Sequence, residues 1–233
     1  MRNNMFSFVS GLGSLFITSG EKMKRNKHDN PAGIEWVEIP EGNFLYGADQ
    51  QEVHCDRFLM GKYPITNAQY KKFLDANPYQ DAPEGWDQAT KTYPSGKDNH
   101  PVVYVNFHDA EAFCRWAGCR LPTEIEWEKA ARGTDGRTYP WGEDKEGNKY
   151  CNGETRETTP VDQYELGVSP FGIWDMAGNC FEWTASNFDA TRKVLRGGCW
   201  MLGGPNRITS RGDVVAPHNP DGYEVGIRCV ISG

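Results

Sequence analysis

An α+β fold of few short helices and small antiparallel sheets, joined by long irregular loops, is what this sequence predicts. Two observations carry that expectation. The 233 residues include 26 Gly, 8 Trp, 10 Tyr and 11 Phe, and such glycine- and aromatic-rich chains with few long periodic segments fold as loop-heavy domains. Helix start signals stand ahead of only three short stretches, at Thr66, Asn106 and Thr123, whereas the apolar alternations last about four to five residues before a Gly or Pro.

The chain reads in order as follows. Residues 1–30 form a flexible N-terminal arm, with a weakly apolar stretch from Met5 to Ile17 and a charged linker from Glu21 to Asn30. The apolar stretch is too short for a membrane span, and without a strong apolar core or a small-residue cleavage site a signal peptide is not expected. A cytoplasmic location is the corresponding expectation. The folded domain then covers 31–233. Ile34 to Pro40 and Phe44 to Gly47 read as two strands around the Glu41-Gly42-Asn43 turn, and Phe58 to Pro64 as a third. Thr66 and Gln69 have capping-box spacing ahead of a helix that Asn77-Pro78 stops. Tyr79 to His100 is a polar surface excursion, and Pro101 to Val105 reads as a strand. Asn106 caps a helix from Phe107 to Ala117, closed by Gly118. Thr123 and Glu126 cap a third helix, ended by Gly133. Trp127, Trp141, Trp183 and Phe113 are expected in the core.

Composition narrows the function. The net charge is −7 and no basic stripe exists, so nucleic acid is not an expected partner. The seven cysteines are odd in number and scattered, which does not describe a disulfide framework. Cys114 and Cys119 lack zinc-knuckle spacing. Buried, reduced thiols are the expectation.

The run from Lys193 to Cys229 organises the rest. Its ends, Lys193 to Trp200 and Tyr223 to Val230, read as short strands rich in glycine. Between them Met201 to Asp221 has three prolines and no period, a long loop held by a sheet. Arg196-Gly197-Gly198-Cys199-Trp200 and Gly226-Ile227-Arg228-Cys229 resemble the RGGS-W and GFRC signatures of the formylglycine-generating-enzyme family, also called sulfatase-modifying factor. Arg120 to Glu128 resembles its RLPTEAEWE string, Tyr139-Pro140-Trp141-Gly142 is similar to another, and Phe171 to Trp183 matches its G-L-x-D-M-x-G-N-V-W-E-W pattern. The resemblance runs from about Ile34 to Cys229 and implies a C-type-lectin-like fold.

It also implies sites. A family calcium site would fall on the carboxylates of Asp175 and Glu182 and the carbonyls of Gly178 and Cys180, oxygen ligands suited to a hard cation. The family oxidase uses two cysteines after its RGGS string to bind copper and substrate. Those positions are Leu202 and Arg207 here, so no copper is expected there and no catalytic residue is assigned. Related members hold iron with histidines, but His28, His54, His100, His108 and His218 show no ligand spacing. A second branch of this fold, the variable proteins of diversity-generating retroelements, diversifies the corresponding C-terminal segment to make new binding surfaces. The resemblance therefore implies a ligand-binding segment at 195–229. Its candidate contacts are Trp200, Met201, Leu202, Asn206, Ile208, Asp213, His218, Asn219, Tyr223 and Glu224, a mixed apolar, polar and aromatic set as a paratope has. The partner would be an unidentified protein or small molecule. The alternative is a family enzyme with other chemistry, or an interaction or sensor module.

Overall fold

The computed structural model describes residues 30–201, 212–215 (backbone only) and 224–233. Three helices and three small sheets make up the regular structure. The first sheet orders β1 (Trp36–Ile39), β4 (Phe58–Gly61) and β9 (Val230–Ser232) side by side. β4 pairs antiparallel with both, so the first and last strands of the domain close on one another across Phe58 to Gly61. β2 (Gly42–Tyr46) and β3 (Gln51–Cys55) form a separate hairpin. The third sheet runs β7 (Gly212–Val215), β6 (Lys193–Arg196), β5 (Phe181–Asn187) and β8 (Val225–Gly226). All its pairs are antiparallel except β5 with β8.

Each helix begins as its sequence signal requires. In α1 (Asn67–Ala76) the Thr66 hydroxyl accepts the Gln69 N–H and the Gln69 amide oxygen accepts the Thr66 N–H at 3.0 Å. In α2 (Phe107–Ala117) the Asn106 side chain accepts the Asp109 N–H at 2.9 Å, and Gly118 closes the helix at φ 76°, where an L side chain is disfavoured. In α3 (Glu124–Arg132) Thr123 and Glu126 make the second capping box, and Arg120 clamps Glu126 at 2.8 Å. The apolar faces of α1 and α2 meet in an aromatic cluster, with Tyr70 stacked on Phe113 at 5.6 Å and Phe73 edge-on to it. Trp183, on β5, joins this core and donates its indole N–H to the Val105 carbonyl at 2.7 Å. A second core packs Trp127 and Ile173 against Phe44, Phe58 and Met60.

Four expectations are corrected. β1 and β2 do not form a hairpin; they lie in different sheets, because β1 finds its partner in β4. β3 alternates only at Val53 and Cys55, with Gln51, Glu52 and His54 exposed, and so it escaped notice. Pro101 to Val105 is not a strand. It makes one isolated bridge, Thr66 with Pro101; Val102 and Val105 donate to the separate partners Ile65 and Val225, and Tyr104 at φ 60° breaks the extension. Trp141 is half-buried. It stacks between Tyr139 and Tyr150, at 5.2 and 4.9 Å, on the surface. The segment read as period-free also contains one strand, β7, paired with β6. No helix among the described residues is long and apolar enough to cross a membrane.

Candidate functional site

The two ends of the 201–223 segment are fixed before it begins. After β6 the chain passes Gly197 and Gly198 at φ 94° and 74°, a left-handed backbone open to glycine at little cost. A Cβ at Gly197 would also press within 3.4 Å of the Trp127 ring. The Arg196 guanidinium lies over that ring at 5.1 Å and reaches Glu124 and Glu128 at 2.8 and 2.7 Å. At the other end Glu224 leads into β8, and its carbonyl accepts the Phe181 N–H at 2.9 Å. Leu195, Arg196, Ile227 and Arg228 are buried, so the frame is rigid where the segment leaves it.

Between these ends opens a cleft of about 250 Å³. Trp200 and Glu224 form part of its wall, with Trp86, Lys97, Tyr104 and Arg156 around them. Glu224 is 4% exposed. Its Oε1 accepts the Tyr104 hydroxyl at 3.0 Å, and its Oε2 has no hydrogen-bond partner among the described residues. A buried carboxylate oxygen left unmatched is costly. Burial, and then the hydrogen bond to Glu224, push the Tyr104 phenol up to about 12. Tyr104 and Arg156 both hold left-handed backbone, φ 60° and 68°, the kind of strain that gathers at ligand sites. Lys97 pairs with Glu157 at 2.7 Å on the rim.

This arrangement sorts the expected contacts. Trp200 and Glu224 meet in the cleft, and Met201 is 50% exposed beside them. Glu224 is thus a buried wall residue rather than a surface contact. Asp213 lies on β7, whose side chains are outside the description; Leu202, Asn206, Ile208, His218, Asn219 and Tyr223 lie outside the described residues, as does Arg207. Sequence reasoning passed over Trp86, Tyr104, Lys97 and Arg156. The available signal was Trp86, the one tryptophan in the Tyr79 to His100 excursion.

The four residues considered for calcium do not fit that ion in this structure. The Glu182 carboxylate is fully buried and spent on other partners: Oε1 accepts from Arg228 at 2.7 Å, and Oε2 accepts from Arg228 at 2.9 Å and from the Trp127 indole at 2.7 Å. The Gly178 carbonyl accepts the Cys180 N–H at 2.9 Å. Asp175 accepts from Asn179 at 2.8 Å through one oxygen, and its other oxygen is buried without a partner. Burial pushes the Asp175 carboxyl up to about 7. With Glu182 and Gly178 engaged by protein partners, the set falls short of the six to eight oxygens that calcium takes.

The sequence matches the family described as "Sulfatase-modifying factor enzyme 1-like domain" over residues 20–232. The chain belongs to this family. Among its sulfatase-modifying-factor relatives, the bovine (Bos taurus) "Inactive C-alpha-formylglycine-generating enzyme 2" is 29% identical, covering 86% of this chain and 89% of that protein. PvdO from Pseudomonas aeruginosa shares the fold at a TM-score of 0.70 and 21% identity, over 87% of this chain and 95% of the other. Treponema denticola variable protein 1 shares it at 0.62 and 19%, over 85% and 95%. The architecture is the C-type-lectin-like one that the family strings imply. Four of those strings are joined by buried ion pairs: Glu124 and Glu128 from the Arg120 to Glu128 string meet Arg196, and Glu182 from the Phe171 to Trp183 string meets Arg228.

Proposed function

We propose that this sulfatase-modifying-factor family member is a ligand-binding protein that presents segment 195–229 as its recognition surface, in the manner of a diversity-generating retroelement variable protein. The observation that carries this reading is the cleft, walled by Trp200 and Glu224 at the two ends of that segment. Its chemistry suits a peptide side chain or small molecule with an apolar body to lie against Trp86 and Trp200 and a donor for Glu224 Oε2. Leu202 and Arg207 stand where the family oxidase has its thiols, and neither supplies the soft ligand that copper(I) chemistry uses. The bovine relative is named as inactive, which agrees with a non-enzymatic role.

A second reading, an enzyme with other chemistry, is favoured by one feature. Glu224 with a free buried oxygen beside the Tyr104 hydroxyl is a pairing suited to moving a proton. A peptide-display selection against the full chain separates the two. Binding peptides that lose at least tenfold affinity for Trp200→Ala, and are released chemically unchanged, support recognition. Peptides modified in mass during incubation support the enzyme. Peptides that bind Trp200→Ala as tightly as the parent would remove the cleft from either role.

A further inference from the structure

We propose that Cys114, Cys119 and Cys229 form a binding site for a thiophilic metal ion, separate from the cleft. The three Sγ atoms lie within 4.8 Å of one another, and Cys114 and Cys229 are 3.7 Å apart. With a metal–sulfur bond of about 2.3 Å, two thiolates on one trigonal or tetrahedral ion sit roughly 3.8–4.0 Å apart. The spacing therefore matches a shared ion with small side-chain rotations.

The cluster is held by backbone on every side. Cys114 lies in the last turn of α2, and Gly118 in its left-handed conformation turns the chain so that Cys119 folds back over the helix end. The Cys119 N–H donates to the Cys114 carbonyl at 2.9 Å. The next residue, Arg120, exchanges two hydrogen bonds with Val230, at 3.0 and 2.8 Å, which locks Cys119 beside Cys229. The Cys229 carbonyl accepts the Gly61 N–H at 2.8 Å. Ligands so placed need little reorganisation on binding. Cys114 and Cys229 are buried, whereas Cys119 is half-buried and offers the way in. The metal would displace the thiol protons on binding.

Among the described residues no fourth His, Cys, Asp or Glu joins the group. Three soft sulfurs suit copper(I); zinc(II) would complete a fourth position with water. This site owes nothing to Leu202 and Arg207, where no copper is expected.

The test uses the reduced full chain under anaerobic conditions. Copper(I) is supplied as its complex with a coloured chelator, and zinc(II) is titrated separately. One equivalent of either metal should be taken up, and Cys114, Cys119 and Cys229 should become protected from alkylation as read by peptide mass spectrometry. Cys119→Ser should weaken uptake at least tenfold, while Cys55→Ser, in the other core, should not. Uptake of copper(I) alone or of zinc(II) alone identifies the ion. Failure of both metals to bind, or binding that Cys119→Ser leaves unchanged without protection of the three thiols, would overturn the site.

Discussion

Arg228 and Glu182 form a wholly buried ion pair in which two guanidinium nitrogens meet both carboxylate oxygens, at 2.7 and 2.9 Å. Arg228 also donates to the carbonyls of Gly61 and Trp174, at 2.9 and 2.8 Å. It therefore ties β4 and the turn before β5 to the last stretch of the chain. The pair explains why the family strings at Phe171 to Trp183 and Gly226 to Cys229 occur together: each supplies one charge that the other neutralises.

Removing one partner leaves the other charge buried and unmatched. Glu182→Ala and Arg228→Ala should each lower unfolding free energy by about 3–5 kcal/mol, measured by urea titration. Replacing both together should cost less than the sum of the two. Because Arg228 already occupies Glu182, adding calcium to chelator-treated protein should leave the melting temperature unchanged. A rise that Asp175→Ala abolishes would show that calcium displaces the arginine and would restore the family site.

His100 makes stability depend on pH. It is buried, its Nδ1 lies 3.0 Å from the Thr158 hydroxyl, and burial, followed by nearby Lys97, lowers its pKa below the ordinary 6.5. Glu157 and Asp98 act in the opposite direction and are outweighed. In the folded state the ring stays neutral where the unfolded chain would be protonated. Its contribution is complete above pH 6.5 and is lost as pH falls through the lowered folded value. Melting temperature should fall on acidification from pH 7 to 5, and less steeply in His100→Gln. Parallel profiles for the two proteins would show that His100 is not the group responsible.

Trp183 and Trp141 should respond differently to the same change. Trp183 is fully buried with its N–H satisfied, so Trp183→Ala should cost about 3–5 kcal/mol. Trp141 loses two ring stacks at the surface, and Trp141→Ala should cost about 1 kcal/mol. Equal losses in denaturant titration would contradict the placement of Trp141.

What the sequence disclosed, and what it did not, follows from the range of each interaction. The three helix starts were legible because Thr66 with Gln69, Asn106 with Asp109 and Thr123 with Glu126 act across three residues. Strand partnership was not, because β4 pairs with strands at both ends of the chain. Trp200 and Glu224 were named as contacts of the C-terminal segment with no cleft in view, and Trp86 and Tyr104 reach that cleft from distant segments without any local signal. The three thiols escaped for the same reason: the five-residue step from Cys114 to Cys119 says nothing until Arg120 and Val230 bring Cys229 alongside.

The division between frame and segment gives the last prediction. Gly198 holds φ 74°, and Leu195, Ile227 and Arg228 are buried, so substitutions among them act on folding. Gly198→Val should be destabilising because a β-branched residue is strained in that backbone. Replacing Met201, Asn206, Ile208, His218 and Tyr223 together should instead change stability little, about 0.5 kcal/mol per position if they are surface residues. Peptides selected on the parent should lose affinity for the multiple variant, because a few anchors dominate recognition. Thermal melts and binding measured on the same two proteins decide the matter. A multiple variant that unfolds while Gly198→Val melts like the parent would place the segment in the core and reverse the assignment.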